Sequence, residues 1–164
     1  MDYFNGKIEK ESLVICGGVG VGKTHLSVAL LRCMKAVPIK DNQYRRPSGM
    51  FMVADEFFMI LNDAAVERRS KLSIMQQWLN QYDLFCLDDL GTRNLTEAKL
   101  ENLYTFINAA YLNQSKIIIT TNLLMKDFSR YDDRIPSRLC EMAEIITISS
   151  TDYRVSPKKV EDKS

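Results

Sequence analysis

Between Gly17 and Thr24 the chain reads Gly-Gly-Val-Gly-Val-Gly-Lys-Thr, which gathers four of its seven glycines next to a lysine and a threonine. The order G-x-x-x-x-G-K-[ST] is that of a phosphate-binding loop. Backbone N–H groups that turn inward around phosphate oxygens require residues without Cβ. Lys23 then reaches the β- and γ-phosphates, and the Thr24 hydroxyl is placed to hold Mg²⁺. A helix beginning at Lys23 adds the positive end of its dipole. The implied ligand is a nucleoside triphosphate with Mg²⁺, held by Gly18, Val19, Gly20, Val21, Gly22, Lys23, Thr24 and His25. A Gly-rich strand-to-helix turn without a ligand is the alternative, and such a turn needs no Lys-Thr at its end.

A second constellation follows the apolar run Leu84-Phe85-Cys86-Leu87, where Asp88 and Asp89 emerge. Parallel strands deliver functional groups at their C-terminal ends. In this Walker B form Asp88 binds Mg²⁺ through its water shell, and Asp89 orients or deprotonates the attacking water. "Apolar run, then Asp" is weak alone, and gains force from its distance after Lys23, which leaves room for one intervening strand. A third candidate is Asn122, at the end of the β-branched run Lys116–Thr120. A strand-end amide beside the Walker strand can touch the γ-phosphate or the attacking water, whereas in isolation it reads as a turn or helix cap.

The elements that must position these groups alternate. Leu13-Val14-Ile15-Cys16 is a buried strand, and Leu26, Ala29, Leu30, Cys33, Met34 and Val37 predict a helix with one core-facing stripe, ending at Pro38. Residues from Ile39 to Gly49, with Lys40, Arg45, Arg46 and Pro47, read as an exposed basic loop. Met50–Val53 is a strand, and Phe57, Leu61 and Ala64 share one helix face. A second helical piece carries Leu72, Met75 and Leu79, with Trp78 assigned to core packing. Asn94 or Thr96 caps the next helix, whose stripe is Leu100, Leu103, Tyr104, Ile107, Ala110 and Tyr111. The last strand centres on Ile145–Ile148, and the charged tail, residues 156–164, is expected to be disordered. The expectation is therefore an α/β fold with a five-stranded parallel sheet covered on both faces, in one domain over residues 1–155.

Bulk properties add limits. With 46% hydrophobic and 26% charged residues over 164 positions, the chain can bury its own core. A net charge of +1 makes no case for a generally basic nucleic-acid binder. Cys16, Cys33, Cys86 and Cys140 lie in apolar stretches without C-x-x-C spacing, so they read as reduced, buried thiols, and a cytoplasmic protein is expected. No apolar run reaches the ~20 residues of a membrane span.

Taken in order, Gly17 to Leu26, Leu87-Asp88-Asp89-Leu90-Gly91, Ile118 to Leu123, Arg134-Ile135-Pro136-Ser137-Arg138-Leu139 and Asp152-Tyr153-Arg154 resemble the bacterial helicase-loader ATPases of the DnaC and DnaI type. They are equally similar to the transposase helper ATPases of the IstB type, within the AAA+ group. The resemblance covers nearly the whole chain. It implies a P-loop sheet in the order 5-1-4-3-2 without a separate lid domain. It makes Asn122 the sensor 1 residue and Arg138 the arginine finger acting on a neighbouring subunit's nucleotide, with Arg134 as second choice. It implies homo-oligomers on ATP, a replicative helicase or other replication or transposition protein as partner, and single-stranded DNA contact at Arg68, Arg69 and Lys71.

Some residues depart from the family pattern. The chain starts almost at the phosphate loop, so it is either the ATPase core of a longer protein or a minimal version relying on another chain. Ala110 stands before Tyr111 where relatives commonly have Arg. Asp89 stands where many ATPases use Glu, and its shorter side chain suits slow hydrolysis. The readings are an assembling ATPase switch in replication, a transposition helper, and, from other classes, a P-loop small-molecule kinase or a non-hydrolysing nucleotide-binding adaptor.

Overall fold

The computed structural model describes residues 10–39, 43–91 and 95–149. In chain order the elements are β1 (Ser12–Gly17), α1 (Lys23–Arg32), β2 (Val37–Pro38), β3 (Tyr44–Arg45), β4 (Gly49–Val53), α2 (Ala54–Val66), α3 (Lys71–Gln81), β5 (Leu84–Leu90), α4 (Glu97–Leu112), β6 (Ile117–Thr121), α5 (Met125–Phe128), α6 (Arg134–Met142) and β7 (Ala143–Ile148).

Five of the strands form one parallel sheet in the order β4-β5-β6-β1-β7. Numbered among themselves in chain order and taken from the β7 edge, these strands run 5-1-4-3-2, the expected arrangement. Its mechanical result is that β6 lies between the strand that enters the phosphate loop and the strand that ends in the paired carboxylates. Asn122 therefore leaves the sheet between them.

Side-chain alternation along the strands sorts the core into two layers. Leu13 and Ile15 of β1, Leu84 and Cys86 of β5 and Ile118 of β6 pack with Leu30 of α1. Val14, Cys16, Phe85, Leu87, Ile117 and Ile119 face the other way, toward α2, α3, α4 and α6. Helices thus cover both faces, unequally. The thicker layer holds an aromatic cluster in which Phe57 lies 5.1 Å from Phe106 and 5.7 Å from Trp78, between ring centroids. Trp78 is half-buried and packs against this core, as its spacing implied.

Several expectations are corrected. Helix α1 ends at Arg32, and its buried residues are Lys23, Ser27 and Leu30. Leu26, Ala29 and Cys33 are exposed. Polar anchors set the helix phase: Lys23 is tied to the loop before it, and Ser27, fully buried, donates to the Thr24 carbonyl at 2.9 Å. Apolar periodicity could not register that constraint. Cys33 and Cys140 are exposed, so only Cys16 and Cys86 behave as the buried thiols expected, and all four are free. The basic stretch is not wholly loop, because Tyr44–Arg45 pairs antiparallel with Val37–Pro38. Helix α4 shows Phe106 fully buried, absent from the expected stripe, while Tyr104 and Tyr111 are only half-buried. Its cap is Thr96, whose Oγ1 accepts from the Lys99 N–H at 3.3 Å. Arg93, Asn94, the Asp152-Tyr153-Arg154 motif and residues 156–164 lie outside the described residues. No described helix is long and apolar enough to cross a membrane.

Candidate nucleotide site

The loop between β1 and α1 meets three backbone demands in different ways. Gly17 pairs with Ile148 across the β1–β7 ladder, and a Cβ there would sit 2.7 Å from the Ile148 carbonyl oxygen. Gly20 and Gly22 take φ of 76° and 93°, the left-handed region that residues with Cβ enter reluctantly. Val21 turns inward and is buried, so it anchors the loop from below. Lys23 is only 8% exposed, and its ammonium donates to the carbonyls of Gly17 at 2.9 Å and Gly18 at 2.7 Å. It spans the loop it will serve.

Opposite the loop, β5 is irregular where it becomes acidic. Leu87 pairs with Ile119 and Leu90 with Thr121, so β5 holds one residue more than β6 over this span. This is a β-bulge. It buries Asp88, at 4% exposure, and turns Asp89 outward with φ of 59°. Asp88 Oδ2 accepts from Thr24 Oγ1 at 2.9 Å, and its Oδ1 accepts from Thr120 Oγ1 at 2.6 Å. The Asp89 N–H in turn donates to Thr120 Oγ1 at 2.9 Å. One buried hydroxyl therefore touches both halves of the acid pair.

These parts enclose one cleft. Val19, Gly20 and Gly22 of the loop and Lys23, Thr24 and His25 of α1 form one side, and Asp89 and Asn122 the other. Asn122 Oδ1 is buried with no hydrogen-bond partner among the described residues. A buried carbonyl without a partner is costly unless something completes it, and this one belongs to a cleft wall. Gly18 contributes its carbonyl to Lys23 and does not line the cleft, and Asp88 lies beneath it. Among the described residues no group of three or more His, Cys, Asp or Glu is arranged to hold a metal. Mg²⁺ is commonly held by one or two protein oxygens together with phosphate oxygens and waters. Thr24 and Asp88 are the residues present for it.

Other sequence-predicted residues stand apart from the cleft. Arg138, on α6, lies 4.2 Å above the Tyr111 ring, and its Nη1 donates to Glu141 Oε2 at 2.8 Å. Arg134 is held more tightly: it pairs with Asp132 and with Glu101 and stacks 4.1 Å over Tyr104. Its hydrogen bonds pull the Asp132 carboxyl below the ordinary carboxylate range. Arg68, Arg69 and Lys71 occupy the α2–α3 junction. Arg69 pairs with Glu67 at 2.7 Å, Lys71 donates to the buried Asn102 at 3.3 Å, and Arg68, at φ 55°, has no ion-pair partner among the described residues. Burial pushes the Cys86 thiol up to about 12, so it serves as packing under the site.

Sequence reasoning missed Thr120. The available signal was a hydroxyl inside the otherwise aliphatic, buried run Ile117-Ile118-Ile119, where a polar side chain needs a partner.

Comparisons with known proteins bear on the family and the fold. The family described as IstB-like ATP binding protein matches residues 6–161. XkdC of the phage-like element PBSX of Bacillus subtilis (strain 168) is 28% identical over 155 residues, covering 90% of this chain and 54% of XkdC. The chain thus spans about half the length of that relative. The crystal structure of the DnaC helicase loader superposes with a TM-score of 0.66 at 25% identity, over 90% of this chain and 84% of that one. Domain III of the Thermotoga maritima replication initiation protein DnaA shares the fold, with a TM-score of 0.68 at 20% identity, over 90% of this chain and 58% of that one. With its P-loop sheet, its paired carboxylates and this match across almost its full length, the chain belongs to the IstB-like ATP-binding family of AAA+ P-loop proteins.

Proposed function

We propose that this chain is a cytoplasmic ATP-dependent switch in DNA replication, acting as a helicase loader that hydrolyses ATP in subunit assemblies on single-stranded DNA or a helicase. The observation that carries the ATPase reading is the unpartnered Asn122 Oδ1, placed with Asp89 across a cleft from Lys23, Thr24 and the loop glycines. Such a cleft suits a triphosphate and an attacking water. Lys23 exchanges its loop carbonyls for β- and γ-phosphate oxygens. Asp89, exposed on the bulge, orients the water or takes its proton. Asn122 contacts the γ-phosphate or the water. Mg²⁺, held by Thr24 and Asp88, would supply charge neutralisation on the phosphates.

Among the described residues no arginine lines the cleft. An arginine supplied by a neighbouring subunit would complete the site. Arg138 suits that role better than Arg134, because it has one carboxylate partner and Arg134 has two. For single-stranded DNA, Arg68 is the strongest of the three junction residues, since Arg69 and Lys71 already have partners. A transposition helper is the second reading, favoured by the family description itself.

The test is ATP turnover per subunit over a wide range of protein concentration, with and without single-stranded DNA. A site completed between subunits gives specific activity that rises with concentration, more steeply with DNA. A flat profile would favour an adaptor or a site completed by another protein. Preference for a helicase over a transposase in pull-down and turnover assays separates loader from helper.

A further inference from the structure

The bulge at Asp88 and Asp89 is fastened to its neighbouring strand by hydroxyls. Where β5 loses register with β6, the Asp89 N–H donates to Thr120 Oγ1 at 2.9 Å. The Leu90 carbonyl accepts from Thr121 Oγ1 at 2.7 Å. Thr120 Oγ1 uses its own proton on Asp88 Oδ1 at 2.6 Å. Its direction is fixed, because a hydroxyl that accepts from an N–H must donate elsewhere, and the carboxylate is the only acceptor in reach among the described residues. Thr120 and Thr121 are fully buried.

We infer that Thr120 is a positioning residue for the metal and water chemistry of the site, an inference that rests on the ATPase reading above. By occupying Asp88 Oδ1 it leaves Oδ2 as the atom aimed at Thr24 and the metal position. By accepting from Asp89 N–H it holds the left-handed backbone that turns the Asp89 carboxylate into the cleft. It stands two residues before Asn122, which follows directly on the same strand. A shift of the β6 end when Asn122 meets the γ-phosphate therefore reaches both carboxylates through a single oxygen.

The test uses Thr120→Val, which keeps shape and removes the hydroxyl, and Thr120→Ser, which restores it. The principal readout is binding of a fluorescent ATP analogue as Mg²⁺ is titrated, which requires no turnover. Partners that orient a ligand carboxylate typically contribute about 10- to 100-fold in metal affinity or activity. Thr120→Val is thus expected to raise the half-saturating Mg²⁺ by about tenfold or more. Analogue affinity in chelator stays unchanged, and Thr120→Ser returns the Mg²⁺ curve to that of the parent. If Thr120→Val does not fold, Thr120→Ala carries the same comparison. A Val or Ala variant with the parent Mg²⁺ curve overturns the positioning role and leaves the ATPase reading standing. Absence of analogue binding by the parent chain overturns both.

Discussion

The Arg138 guanidinium carbon lies 4.2 Å from the centre of the Tyr111 ring, while that of Arg134, one turn earlier on α6, lies 4.1 Å from the centre of the Tyr104 ring. Two similar stacks carry different loads. Arg134 is closed off by Asp132 and Glu101 and ties α6 to α4, whereas Arg138 keeps a single pairing with Glu141 in its own helix. Arg138→Ala is therefore expected to leave ATP binding nearly intact and to lower assembly-stimulated turnover by about 10³-fold or more, the scale of an arginine finger. Arg134→Ala should instead lower the melting temperature. Nucleotide titration, turnover and thermal melts on both variants check this. Loss of turnover in Arg134→Ala with full activity in Arg138→Ala would reverse the assignment.

Asp89 explains its own identity through its backbone. At φ 59° a longer side chain gains nothing, while Asp and Asn tolerate the left-handed region better than most residues. Asp89→Asn should keep the parent stability and lose about 10²- to 10⁴-fold in turnover, the range for a positioned base. Asp89→Glu should be less stable than Asp89→Asn by roughly 1 kcal/mol in urea unfolding. A Glu variant as stable as the Asn variant would show that the bulge relaxes freely.

The phosphate loop, the acid pair and the strand-end amide were legible because each couples a residue type to a position in an α/β alternation. The phase of α1 was not. Leu26 and Ala29 carry the apolar period, yet Lys23 and Ser27 are buried, because anchoring the lysine to two loop carbonyls fixes the helix rotation. Thr120 escaped for a related reason: one threonine in a β-branched strand is ordinary until the register slip opposite it is visible. The bulge itself leaves no mark in the run Leu84–Leu90. Arg138 was singled out only through resemblance, since a helical arginine paired to a glutamate three residues on looks like any solvated pair.

Acid should loosen the molecule at the end of the sheet away from the cleft. Arg45, through hydrogen bonds, and then Ser48 hold the Asp83 carboxyl well below its usual range, against some burial. Arg45 Nη1 donates to Asp83 Oδ2 at 2.7 Å, and the Ser48 N–H donates to the same oxygen at 2.8 Å. Because the folded value is depressed, this contribution is complete above the unfolded carboxyl value of about 3.9 and is lost as pH falls below it toward the folded value. Asp83→Asn should lower the melting temperature at neutral pH and flatten the decline below pH ~4. Melts from pH 7 to pH 2 on both proteins check this, and parallel curves would remove Asp83 as the cause.

The loop glycines should not be equivalent. At Gly17 a Cβ meets the Ile148 carbonyl oxygen at 2.7 Å, a backbone atom of β7 that can yield only by moving the strand. At Gly18 the nearest atom is Val21 Cγ1 at 3.7 Å, an ordinary contact. Gly17→Ala is thus expected to cost about 1–3 kcal/mol, as overpacking does. It should also disturb the carbonyl that holds Lys23. Gly18→Ala should melt with the parent, so that any loss of nucleotide affinity it shows comes from the approach of phosphate to the loop. Urea unfolding separates the two effects from nucleotide binding. Equal destabilisation by both substitutions would mean that the loop, and not the β1–β7 contact, sets the requirement for glycine.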